Sequence, residues 1–173
     1  RVLFRSAGEV QIIDAHCRKR GIVLAANQAC FTHLTRWLKH SSYSDLAETN
    51  SVWEWEGNNF SGPFSLNPQN PASIELVADM LDQLLPNFSS GLININCDEA
   101  IDLGIGASKT AVAERGNSNV YWDFVHNIMD LARQHNFKPM FWADMWLKAS
   151  KAERSLPDRD VISLVWGYEP SIP

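Results

Sequence analysis

No apolar run in this chain approaches the roughly 20 residues that a membrane-spanning helix requires, so a transmembrane segment is not expected. Basic residues are in the minority: 15 Lys and Arg stand against 20 Asp and Glu, a net charge of −5. That balance offers no basic patch to a phosphate backbone, and a nucleic-acid partner is not expected. Cysteine is sparse. Cys17, Cys30 and Cys97 are odd in number and widely spaced, which argues against a disulfide framework and leans towards a reducing, cytoplasmic compartment. Cys30-x-x-His33 has ligand-like spacing but no second pair to complete a zinc site, so structural thiols and no metal are expected. No G-x-G-x-x-G succeeds an apolar run, which leaves a dinucleotide fold without support, and no cofactor is expected. Neither an initiator methionine nor a signal peptide is visible. Arg1-Val-Leu-Phe-Arg-Ser6 fits poorly with the helical pattern that begins at Gly8, so we expect a tail over residues 1–7 and a domain, entered part-way, over residues 8–173. Any targeting signal would then lie out of view.

What is present suits one globular domain with a real core. The chain has 173 residues, of which 45% are apolar and 20% charged, the shares of an ordinary soluble protein. Seven tryptophans are many for this size, and they can fill a core or wall a ligand with apolar faces.

Helical spacing from Gly8 to Arg20 ends at Gly21, a good C-terminal stop. Ile22 to Ala26 reads as a buried strand, and Thr32–His40 and Tyr43–Glu48 as short helices. A long loop rich in Trp, Asn and Gly runs from Asn50 to Asn67, and loops of this length inside a domain are usually functional. Asn70 then caps a helix with Pro71 in its first position and an apolar stripe of Ile74, Val77, Ala78, Leu81 and Leu85; Pro86 ends it. After a strand from Leu92 and a loop with Gly104 and Gly106, a helix over about 118–135 buries Val125, Ile128, Met129 and Ala132. Strands at Lys138–Ala143 and Val161–Trp166, with a shorter helical stretch between them, complete the pattern. Strand and helix alternate four times without hairpin signals, which predicts βαβ units and a parallel sheet. Polar or aromatic residues come after each strand, and a convergent ring of such loops suits a partial (β/α)8 barrel of about four central units.

The stretch Leu92-Ile-Asn-Ile-Asn-Cys-Asp98-Glu99 is the most informative. Alternation puts Ile93, Ile95 and Cys97 on one face and Asn94, Asn96 and Asp98 on the other. Two adjacent carboxyls at the C-terminal end of a barrel strand stand where catalytic groups belong. Strict alternation would send Asp98 and Glu99 to opposite faces, so the chain must leave regular β geometry there if both are to act.

Four ordered passages now support a resemblance. Asn27-Gln28-Ala-Cys-Phe31-Thr-His33, succeeded by Arg36-Trp-Leu-Lys39, resembles an N-Q-x-x-F-G-H stretch. Ile95-Asn-Cys-Asp98-Glu99, with Leu103-Gly-Ile-Gly106-Ala-Ser108 behind it, resembles an H-x-G-x-D-E strand and its loop. Phe141-Trp-Ala-Asp144-Met145 and Val165-Trp-Gly-Tyr168-Glu169 resemble W-x-D-M and W-x-Y strand ends. Together, from Gly8 to Pro170, they resemble the catalytic barrel of glycoside hydrolase family 20, the β-N-acetylhexosaminidases, and its hexosaminidase D-like branch in particular.

The resemblance implies a glycosidase that removes terminal β-linked N-acetylglucosamine or N-acetylgalactosamine by retaining, substrate-assisted catalysis. Glu99 would be the general acid, and Asp98 would orient the 2-acetamido group whose carbonyl oxygen attacks the anomeric carbon. Trp142 and Trp166 would wall the sugar, with His33, Asp144 and Tyr168 as further substrate-side groups. For His33 the plain alternative is a hydrogen-bonded support, and for Asp144 a carboxylate capping the helix after its strand. Trp53 and Trp55 could line an outer subsite or pack under their own loop. Asn94 stands where many relatives have histidine, and Thr32 where they have glycine. If Ile22 begins the third barrel strand, flanking strands lie outside the sequence, and the piece alone is expected to be inactive or nearly so. Two other readings stay open: a non-catalytic sugar-binding barrel domain, and another barrel enzyme using the same acids. Neither an oligomeric state nor a choice between the two hexosamines can be read from the residues.

Overall fold

The computed structural model describes residues 6–149 and 159–168. The first helix, α1 (Ala7–Arg18), starts at a capping box in which the Ser6 hydroxyl accepts from the Glu9 amide and the Glu9 carboxylate accepts from the Ser6 amide. Ser6 and Ala7 fall in the stretch expected to be a tail; residues 1–5 of that stretch lie outside the described residues.

The strand expected from Ile22 enters its ladder only as β1 (Ala26–Asn27), because Ile22 and Val23 are 55% and 66% exposed and lie outside the pairing. The expected helices at 32–40 and 43–48 shrink to α2 (Thr35–Leu38) and a 3-10 turn at Ser44–Leu46. The long loop beyond them contains a hairpin, β2 (Val52–Trp55) with β3 (Asn58–Ser61), which corrects the expectation of none. Its two-residue turn is Glu56-Gly57, with φ of 49° and 76°. These are the positive values a type I′ turn needs, reached without the usual Asn-Gly or Asp-Gly signal.

The next helix, α3 (Pro71–Leu84), forms as expected, with the Asn70 side chain accepting from the Ala72 amide and Pro71 in the first turn. Strand β4 (Leu92–Asn94) comes next. A short helix that the sequence pattern does not announce, α4 (Lys109–Arg115), is parted by Gly116 from α5 (Asn117–Gln134). Then come β5 (Lys138–Trp142), α6 (Asp144–Lys148) and β6 (Ile162–Leu164). Residues 150–158 of the expected helical stretch lie outside the described residues.

The main sheet is parallel throughout and its order, β1-β4-β5-β6, is that of the chain. A doubly wound sheet reverses its order at a switch point, whereas a barrel adds each strand beside the last. The observed order is that of a barrel. The stripe residues Val77, Leu81 and Leu85 are buried, as are Val125, Ile128, Met129 and Ala132 of α5, and they pack in one core with Ile93, Ile95 and Phe141 of the sheet.

Two buried acids tie the loops at the strand ends together. Glu48 accepts from the amides of Gly106 and Ser108 at 2.9 and 3.1 Å and from the Ser108 hydroxyl at 2.9 Å. Asp102 accepts from both the amide and the hydroxyl of Ser65. Burial raises the proton affinity of both carboxyls above the ordinary carboxylate range, and their hydrogen bonds oppose the shift. Gly106 is required here: any Cβ would collide with the Glu48 carbonyl oxygen. Gly106→Ala should therefore destabilise the fold by about 1–3 kcal/mol through overpacking. A thermal melt checks this, and an unchanged melt would show that the two loops separate freely.

Candidate active site

The site is built where β4 stops being a strand. Ile93, Ile95 and Cys97 are fully buried, as alternation requires, and the ladder persists to Ile95, whose amide donates to the Met140 carbonyl at 2.8 Å. The backbone then turns left-handed at Asn96, Cys97 and Glu99, with φ of 60°, 65° and 50°. Non-glycine residues rarely adopt such values unless their surroundings hold them there.

The holding contacts are visible. The Asn94 side chain accepts from the Asn96 amide at 3.0 Å, and the Tyr121 hydroxyl donates to the Cys97 carbonyl at 2.7 Å. The Glu99 amide donates to Asp144 Oδ2 at 3.0 Å. These left-handed steps are the departure from β geometry that two adjacent carboxyls sharing a site require.

As a result Asp98 and Glu99 line one pocket of about 410 Å³ with His33, Trp142, Trp166 and Tyr168. His33 comes from the loop after β1, and its Nε2 lies 3.4 Å from both Asp98 Oδ2 and Glu99 Oε2. Asp98 raises the proton affinity of the imidazole above its ordinary range, helped by the charges of Glu99 and Asp144 and opposed by partial burial. Among the described residues this trio is the group of acids and histidine that could hold a metal ion, its ligand atoms lying within 4.8 Å of one another.

Trp142 is fixed by a relay of amides. Its Nε1 donates to Asn96 Oδ1 at 3.1 Å, and Asn96 Nδ2 donates to Asn27 Oδ1 at 3.0 Å. The pocket thus has one indole locked by strand-end groups. Trp166 and Tyr168 are freer: their rings lie 5.7 Å apart in a tilted pair, and Tyr168 is 93% exposed.

Asp144 stands apart from the other expected site residues. It lines a neighbouring hollow of about 240 Å³ with Leu147, Lys148, Val165 and Trp166. One of its oxygens accepts from the Glu99 amide and the other is buried without a protein partner. Burial raises its proton affinity above the ordinary carboxylate range. Its visible work is to aim Glu99.

The loop tryptophans divide differently from a subsite. Trp53 is buried, stacked on Phe60 at 4.6 Å and bonded through Nε1 to the Gly62 carbonyl, so it packs under its own loop. Neither Trp53 nor Trp55 lines the pocket. Gln28 turns away towards Met80, while Asn27 joins the amide relay. Cys30 is buried with its Sγ on the Gln28 carbonyl, as a structural thiol would be. Sequence pattern assigns Asn96 only to a polar face and gives no role to Tyr121, Glu48 or Asp102. Only the conflict between alternation and paired acids hints that such supports must exist.

Residues 4–171 match the profile of the glycosyl hydrolase family 20 catalytic domain. The chain is 31% identical over 121 residues to human hexosaminidase D, covering 66% of this chain and 23% of that protein. It superposes on the exo-β-N-acetylglucosaminidase of Vibrio harveyi, solved with N-acetylglucosamine, with a TM-score of 0.73 at 17% identity; 95% of this chain and 26% of that one are covered. The β-N-acetylhexosaminidase of Bacteroides fragilis gives a TM-score of 0.72 at 19% identity, with 94% and 32% covered. The chain therefore spans between a quarter and a third of the length of these structures, and its parallel sheet is part of a family 20 barrel.

Proposed function

Because the chain belongs to glycosyl hydrolase family 20, we propose that the protein removes terminal β-linked N-acetylhexosamine by retaining, substrate-assisted hydrolysis. The observation that carries this reading is the pocket in which two adjacent carboxyls face His33 and two tryptophans. Its volume of about 410 Å³ suits a small ligand. Indole faces suit the C–H surfaces of a sugar ring, and the carboxyls supply acid and anion at the same end of it.

Glu99 gives its proton to the glycosidic oxygen as the bond from the anomeric carbon to that oxygen breaks. The acetamido carbonyl oxygen of the substrate forms the new bond to the anomeric carbon, closing an oxazolinium ring. Asp98 orients the acetamido group and balances the positive charge that develops on its nitrogen. Glu99, now ionised, takes a proton from the water that opens the ring, and two inversions give net retention. His33, within 3.4 Å of both acids, keeps them apart and directed, and Trp142 walls the acetamido side.

The matched relatives are longer than this chain, so the assay uses the product of the complete reading frame. We expect turnover of p-nitrophenyl N-acetyl-β-glucosaminide or the galactosaminide, and none of the β-glucoside, which lacks the internal nucleophile. A thiazoline that mimics the closed ring should inhibit. Comparable turnover of the glucoside, or failure of the thiazoline to bind an active enzyme, would overturn the substrate-assisted mechanism.

A further inference from the structure

His33 sits with a φ of 58° at the end of a loop, and its imidazole meets both acids. A left-handed histidine on a loop needs something to hold it. The segment 64–66 does so on both sides. The Phe64 carbonyl accepts from the Leu34 amide at 2.9 Å, and the Leu66 amide donates to the Phe31 carbonyl at 2.9 Å. The Phe64 ring then meets the His33 ring edge-on, with centroids 4.6 Å apart.

Phe64 is itself braced from two directions. Next to it, Ser65 is bound through amide and hydroxyl to buried Asp102, three residues beyond Glu99 in the chain. The Ser65 carbonyl accepts from the Glu48 amide at 2.9 Å, and Glu48 holds the loop at Gly106 and Ser108. On the far side the ring leans on Trp53, 6.2 Å away, which is stacked on Phe60 of the hairpin. Phe64 does not line the pocket.

We propose that Phe64 is a positioning residue for His33: anchored to the loop beyond Glu99, it fixes where the imidazole meets the Asp98–Glu99 pair. The hairpin β2–β3 supplies the backing for that ring. The charged groups facing His33 are Asp98, Glu99 and, further off, Asp144. Ring placement therefore decides how strongly the acids hold its proton. The kinetic part of this inference rests on the hydrolase reading; the part concerning His33 itself does not.

The test compares Phe64→Leu and Phe64→Tyr in the complete protein. It combines steady-state kinetics on a chromogenic N-acetylhexosaminide with NMR titration of the His33 ring, identified by its loss in His33→Asn. Phe64→Leu should lower kcat by about 10–100-fold, the scale of a misplaced supporting group, with KM little changed. It should also move the His33 titration towards that of a free imidazole. Phe64→Tyr keeps the ring and should match the parent on both counts. Should Phe64→Leu fail to fold, Ser65→Ala loosens the same segment and is expected to shift both readouts the same way. A His33 titration left unchanged by the variants overturns the proposal, whether or not kcat falls. Titration that shifts in a protein with no hexosaminidase turnover upholds the positioning and sinks the hydrolase reading instead.

Discussion

Replacing Glu99 by Gln should lower kcat on N-acetyl-β-hexosaminides by about 10²–10⁴-fold, the usual contribution of a positioned general acid. The substitution is nearly isosteric. The contact that aims residue 99, from its amide to Asp144, is made by the main chain and survives. What is removed, under the proposed mechanism, is the proton delivered to the leaving oxygen. The loss should therefore depend on how much the leaving group needs that proton. An aryl substrate with an acidic phenol departs with little help and should lose least; a sugar leaving group should lose most. Kinetics of Glu99→Gln on a p-nitrophenyl glycoside and on a disaccharide check this. Equal losses on the two would remove Glu99 from the acid's role.

Asp98 gives a contrasting pattern. It faces the same pocket, but in the proposed mechanism it serves the internal nucleophile, so its loss should fall alike on good and poor leaving groups. The two carboxyls can thus be separated by substrate series even though they are neighbours in the chain.

The residues that form the pocket were legible because most of them sit where a strand ends. Asp98, Glu99, Trp142, Trp166 and Tyr168 lie at the ends of β4, β5 and β6, at positions that local patterning predicts. The helices α3 and α5 were legible for the same local reason: their stripes repeat at the period of the helix and carry the core. Even the bend at Glu99 comes from a local argument, since alternation cannot place two adjacent side chains together. The supports were not legible. Asn96 to Trp142, Tyr121 to Cys97, Phe64 to His33 and Asp144 to Glu99 each join segments far apart in sequence. Such contacts are set by how loops approach one another after the barrel forms, and no periodic pattern encodes them. The hairpin escaped because its turn is Glu-Gly, and Glu rarely takes the first left-handed position. Asp144 opens α6 and also turns back to the neighbouring strand end, where it accepts from the Glu99 amide, a long-range contact that local pattern does not announce.

The largest stability effect should come from Glu48, which does not line the pocket. Glu48→Ala leaves the amides of Gly106 and Ser108 without the carboxylate they share, inside a packed loop junction. Buried donors left unpaired cost about 1–3 kcal/mol each, so a loss of about 3 kcal/mol is expected. For a domain of this size that is roughly 6–12 °C in Tm. Glu48→Gln should behave differently. Oε1 takes both amides and the Ser108 hydroxyl, Oε2 shares only the Ser108 amide at 3.2 Å, and an amide side chain keeps the first oxygen with its three donors. The comparison also has a pH sign. Burial raises the proton affinity of Glu48 in the folded state, so the fold binds this proton more tightly than the unfolded chain does. Wild-type stability from this group is therefore greatest below the ordinary glutamate range and is lost as pH rises through the raised folded value. Glu48→Gln does not titrate there, so its stability relative to wild type should improve between about pH 4 and neutrality. Denaturant unfolding of the three proteins across that range measures it. A Gln variant as damaged as Ala, with no pH trend between Gln and wild type, would mean that the negative charge, rather than the shared oxygen, locks the loop behind Glu99.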